Sequence, residues 1–135
     1  MHTPPSVAAG PREMVTTYPG RPDQVRKVRS DLRPLLSGCP VADDVVLCVS
    51  ELATNAVTHS NSSRPGGTFT IWAQIWPGEG FRVEVIDDGG PWLGPPPGLT
   101  HGRGLGIVAA LAQDWGVITA PTARTVWAHL GWPGA

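Results

Sequence analysis

At residue 69 the hydrophobic pattern of this chain changes period, and that change leaves few architectures open to it. Phe69, Ile71, Ala73 and Ile75 alternate with Thr70, Trp72 and Gln74, and Pro77-Gly78-Glu79-Gly80 then turns the chain into Phe81, Val83 and Val85. Alternation sends every second side chain to the same face of a strand. The two runs therefore read as a hairpin with one apolar side. Upstream the period is helical: Val45, Cys48, Val49, Leu52 and Ala56 recur at the spacing of one buried stripe. A sheet that is apolar on one face has to be covered, and an amphipathic helix is the available cover. The expected fold class is α+β, a two-layer sandwich whose mixed, mostly antiparallel sheet carries helices on one face.

The flanking segments fit that plan. Residues 1–11, rich in Pro, Ala and Gly, read as a flexible leader, and residues 12–135 as one domain. Glu13 to Tyr18 suits a short edge strand stopped by Pro19-Gly20. Pro22 suits a first helical position, and Val25, Val28, Leu32, Leu35 and Leu36 follow at helical spacing, with Pro34 expected to kink or end that helix. Arg26, Lys27, Arg29 and Arg33 on its exposed side read as a solvated face rather than a docking patch. Asp43 and Asp44 fall in the first turn of the next helix, where carboxylates complement the helix dipole. That helix has to stop before Asn61-Ser62-Ser63-Arg64-Pro65-Gly66-Gly67. Residues 89–104 hold four prolines and six glycines and form a loop. Leu105 to Gln113 reads as a short helix, and Trp115 to Ala120 with Thr125 to Trp132 as a closing strand pair.

Charge and cysteine usage remove several function classes. Ten basic and eleven acidic residues leave a net charge of −1, so no global field attracts a nucleic-acid backbone or an anionic membrane. No apolar run approaches the roughly 20 residues of a membrane helix, and the N-terminus lacks a signal pattern. Cys39 and Cys48 read as reduced, small core residues, which suits a cytoplasmic protein. His2, His59, His101 and His129 are scattered and no Cys-x-x-Cys occurs, so a structural zinc site is not expected.

Within Ser50-Glu51-Leu52-Ala53-Thr54-Asn55-Ala56-Val57-Thr58-His59, an acid and a carboxamide stand four residues apart on an otherwise apolar helix. Residues i and i+4 share a helix face, so Glu51 and Asn55 project together, with Thr58 near the same line. Taken alone, such a pair is more often a solvated surface. Two later segments change its meaning. Val85-Ile86-Asp87-Asp88-Gly89-Gly90 ends an apolar strand in acids and glycines, and Gly102-Arg103-Gly104-Leu105-Gly106 opens a helix with glycines. Glycine-preceded helix starts converge backbone N–H groups on oxygen anions. The dinucleotide pattern that Gly104 to Ala109 also matches should follow a buried strand and be followed by an acid that holds the ribose, but it follows the Pro-rich loop and no acid occurs after Asp114.

The three segments, in this order, resemble the N, G1 and G2 boxes of the Bergerat-fold ATPases, which include gyrase B, MutL and the catalytic domains of sensor histidine kinases. The resemblance covers about residues 12–132, and the wording of the first box and of Thr125-Val126-Trp127 is most similar to the anti-sigma-factor serine/threonine kinases of the RsbW and SpoIIAB type. It implies ATP and Mg²⁺ as cofactors. It implies Asn55 as metal ligand, Glu51 as general base, Asp87 as acceptor of the adenine amino group, Gly89 as the place where the base approaches, and Gly102, Arg103, Gly104, Leu105 and Gly106 as the phosphate loop. Thr125 matches a threonine that supports adenine recognition, although an ordinary strand threonine reads nearly as well. Arg103 either touches phosphate or is solvated, His59 and Asp88 are expected to be structural or solvated, and Trp92 is expected to pack in its loop. Two departures bear on the nucleotide: Pro91 stands where the G1 box usually has its second glycine, and Ala123-Arg124 replaces a frequent glycine pair.

The implied function is a MgATP-binding regulatory kinase that phosphorylates an anti-anti-sigma partner of the STAS type and holds a sigma factor, with no direct nucleic-acid or membrane partner. A homodimer follows from the resemblance alone. The alternative is a non-catalytic ATP-binding module that sequesters a sigma factor or another regulator.

Overall fold

The computed structural model describes residues 10–90 and 105–132. In chain order these form β1 (Arg12–Pro19), α1 (Gln24–Leu32), a 3-10 turn (Arg33–Leu36), α2 (Ala42–His59), a second 3-10 turn (Asn61–Ser63), β2 (Thr68–Trp76), β3 (Gly80–Asp87), α3 (Leu105–Leu111), β4 (Asp114–Ala120) and β5 (Ala123–Gly131). The strands make one five-stranded sheet in the order β1-β2-β3-β5-β4. Every neighbouring pair is antiparallel. The expected α+β sandwich is the observed fold, with the described sheet antiparallel throughout rather than mixed.

The alternating apolar residues build the core as their period requires. Phe69, Ile71, Ala73, Ile75, Phe81, Val83, Val85, Val126, Ala128 and Leu130 are all buried, and Val45, Val49, Leu52 and Ala56 of α2 meet them from above. Tyr18 stacks on Phe69 with ring centroids 5.3 Å apart. Its hydroxyl donates to Asp31 of α1 at 2.8 Å, tying the edge strand to the first helix. Burial and the Asp31 carboxylate both push that phenol up from its ordinary value.

Element ends differ from the sequence expectations for local reasons. Helix α1 begins at Gln24, two residues after Pro22, and ends at Leu32. Pro34 then lies near the start of the 3-10 turn, where its missing N–H is not called for. Helix α3 stops at Leu111 rather than Gln113, because the Gln113 N–H is taken by the His129 carbonyl of β5 at 2.7 Å. Strand β5 starts at Ala123, so Pro121-Thr122 alone makes the last turn.

After α2 the chain is pinned to β2 and β3 by a buried hydroxyl. Ser62 Oγ donates to the Thr68 carbonyl at 2.6 Å and accepts from the Asp88 N–H at 2.9 Å, and the residue is 0% exposed. Ser62→Ala leaves both backbone groups unpaired, so we expect a loss of about 1–3 kcal/mol in denaturant unfolding. A loss below about 0.5 kcal/mol would show that water replaces the hydroxyl at this joint.

Candidate nucleotide site

Helix α2 carries the first two expected residues at different depths. Asn55 is 7% exposed and its carboxamide Nδ2 has no hydrogen-bond partner among the described residues. Glu51, one turn earlier, is half-buried, and Thr58 is exposed. The depth of Asn55 separates it from a solvated helix face. Leaving a buried amide N–H unpaired costs about 1–3 kcal/mol, which makes it a position where a ligand would repay the structure. Rotation of the amide exchanges its N–H and oxygen ends, so the same position can offer a neutral oxygen to a hard cation. Among the described residues no group of three His, Cys, Asp or Glu side chains is placed to hold a metal. A cation here would therefore draw its remaining ligands from phosphate and water.

Two neighbours on α2 are fixed structurally. Burial, with the Glu51 charge adding to it, pushes the Cys48 thiol up to about 12, which keeps it neutral and unreactive. Ser50 Oγ donates to the Val46 carbonyl at 2.6 Å and accepts from Arg29 Nε at 2.9 Å. One member of the basic stripe of α1 is thus docked onto α2 instead of being only solvated.

Beyond the C-terminal end of α2, the end of β3 supplies an acid backed by glycines. Asp87 is 5% exposed and its Oδ1 accepts from the Gly89 N–H at 2.7 Å. Gly89 has φ +70°, and an added Cβ would lie 3.1 Å from the Ala123 nitrogen, so conformation and close approach both call for glycine. The Gly89 carbonyl accepts from Asn61 N at 2.8 Å, which joins this turn to the segment after α2. Asp88 faces away from this acid: its Oδ2 accepts from the Thr68 N–H at 3.0 Å, a structural role.

The partner of Asp87 across the sheet is Arg124, which was singled out in the sequence only as a departure. Asp87 and Arg124 are directly opposed in the β3–β5 register, Arg124 Nε lies 3.5 Å from Asp87 Oδ2, and Arg124 Nη2 donates to the His59 carbonyl at 3.2 Å. Arg124 is 6% exposed. Burial pushes the Asp87 carboxyl up from its ordinary value, the Gly89 N–H and the Arg124 charge oppose that rise, and Asp88 adds to it. Thr125 is a correction. It stands opposite Ile86 and Ile118, one residue out of phase with Asp87, so the pleat sends it to the other face of the sheet. The signal for Arg124 was in the sequence: it falls in phase with Val126, Ala128 and Leu130, and a charge on a core face needs a buried partner.

At the start of α3, Leu105 is buried and Gly106 half-buried. Gly102, Arg103 and Gly104, together with Pro91 and Trp92, lie outside the described residues. Among the described residues no helix is long and apolar enough to cross a membrane.

The comparisons with known proteins point the same way. The model of the histidine kinase-like ATPase domain family matches residues 18–130, a span that contains Glu51, Asn55, Asp87 and the α3 start. Among solved structures, that of the RsbU and RsbW domains of Rv1364c from Mycobacterium tuberculosis matches with a TM-score of 0.70 at 24% identity. The match covers 90% of this chain and 33% of that one, so this chain spans a third of its length. At that identity the likeness is one of fold. No curated protein gives a significant match.

Proposed function

The chain belongs to the family of histidine kinase-like ATPase domains, and from that premise we propose that it is a MgATP-dependent serine/threonine protein kinase of the anti-sigma-factor type. Its phosphoryl acceptor in this reading is an anti-anti-sigma protein of the STAS type, and a sigma factor is the partner it holds. The observation that carries the nucleotide site is the buried carboxamide of Asn55, whose Nδ2 has no partner among the described residues, one helical turn from Glu51. MgATP would supply the transferable phosphoryl group and the charge neutralisation that phosphoryl transfer needs. Asn55 would hold the cation through its amide oxygen, and Glu51 would take the proton from the attacking hydroxyl. Asp87 accepts from the amino group of the base, beside the Gly89 turn. Gly102, Arg103, Gly104, Leu105 and Gly106 offer their N–H groups to the phosphates. The RsbW domain of the structural neighbour supports the choice of kinase class.

Calorimetric titration with ATP, with and without Mg²⁺, tests this reading. Wild type is expected to bind saturably and more tightly with Mg²⁺. Asn55→Ala should abolish the Mg²⁺ enhancement and Asp87→Asn should weaken binding by at least about tenfold, the size of one charge-assisted hydrogen bond. No saturable binding by wild type would overturn the nucleotide reading. Binding without phosphate transfer to any STAS-type acceptor would instead favour a module that captures a regulator without turnover.

A further inference from the structure

We propose that Arg124 is a positioning residue that sets base selectivity: by pairing with Asp87 Oδ2 it keeps the carboxylate an acceptor, so the site takes a 6-amino purine and refuses a 6-oxo purine. This rests on the reading that Asp87 meets the base.

The geometry leaves Asp87 little freedom. One carboxylate oxygen is held by the Gly89 N–H at 2.7 Å and the other faces the Arg124 guanidinium at 3.5 Å. Arg124 is itself anchored, since Nη2 donates to the carbonyl that ends α2. The ion pair thus joins the last residue of β3, the second residue of β5 and the C-terminus of the helix that carries Asn55. Each carboxylate oxygen has a second lone pair, so the pair leaves Asp87 able to accept once more. Among the described residues the charged groups acting on Asp87 are Arg124 from β5 and Asp88, the residue after β3, and α2 contributes the His59 carbonyl to Arg124.

The chemistry of selectivity follows from proton count. An ionised carboxylate only accepts, whereas a protonated one also donates. Adenine presents an amino donor at its 6-position and hypoxanthine an oxo acceptor. A buried acid with no cation beside it drifts toward the protonated form, and it would then satisfy the oxo base. Arg124 opposes that drift from the adjacent strand, so discrimination should persist to lower pH with Arg124 than without it.

The test is the ratio of ATP to inosine triphosphate affinity, measured by calorimetry from about pH 8 to about pH 5.5. The ratio cancels the phosphate titration that both nucleotides share. Wild type and Arg124→Lys are expected to favour ATP with a ratio that changes by less than about threefold over that range. Arg124→Gln keeps a donor for the His59 carbonyl but no charge, and its ratio should fall by about tenfold or more toward low pH. A flat ratio in Arg124→Gln, equal to that of wild type, overturns the proposal and leaves the nucleotide reading intact. A wild-type ratio that itself falls tenfold also overturns it, whether or not Arg124→Gln folds. Absence of ATP binding by wild type overturns both.

Discussion

Glu51→Ala is expected to slow phosphoryl transfer by about 10²–10⁴-fold, the usual worth of a positioned general base, while ATP affinity stays close to that of wild type. The separation follows from where the two residues of the α2 pair sit. Asn55 is buried with its Nδ2 unpartnered among the described residues, and Glu51 is half-buried one turn earlier. Removing Glu51 takes away the proposed proton acceptor and leaves Asn55, Asp87 and Gly89 in place. Single-turnover transfer to a STAS-type acceptor measures the first quantity and calorimetry the second. A Glu51→Ala protein that transfers phosphate at the wild-type rate would exclude Glu51 as the base. One that also fails to bind ATP would move Glu51 from proton transfer to ligand binding.

The largest loss of stability is expected at Phe69. The ring is 1% exposed, stacks on Tyr18 at 5.3 Å and stands in register between Tyr18 of β1 and Asp87 of β3. Phe69→Ala removes the buried area and leaves a cavity, together costing about 3–5 kcal/mol, with the aromatic pair contributing about 0.5–1.5 kcal/mol beyond area burial. A midpoint shift of that size at unchanged slope in denaturant unfolding is the predicted result. A loss near 1 kcal/mol would mean that β1 frays from the sheet edge without bringing down the core. The consequence reaches the site, because Phe69 of β2 is paired directly with Asp87 of β3.

The sheet was legible because alternation is strict over Phe69 to Ile75 and Phe81 to Val85, and a period of two admits no other element of that length. The α2 helix was legible for the same reason at a period of 3.6, and its dipole-matched start at Asp43 and Asp44 is observed. Element ends were harder to read. The end of α1 near Pro34 and the end of α3 before Gln113 were decided by a 3-10 turn and by a carbonyl on β5 that is distant in sequence.

The candidate site divides in the same manner. Spacing along one helix set Glu51 beside Asn55, and a strand end followed by glycines marked Asp87 and Gly89, because these relations are local and the backbone geometry fixes them. That Asn55 is buried, and that Asp87 faces Arg124 while Thr125 turns to the other face, depends on how α2 lies on the sheet and on the β3–β5 register. A shift of one residue in that register exchanges the two faces. Sequence by itself determined the elements, their apolar faces and the local residue pairs. Only the tertiary structure decided which charge meets Asp87, because that contact joins residues thirty-seven positions apart across two strands.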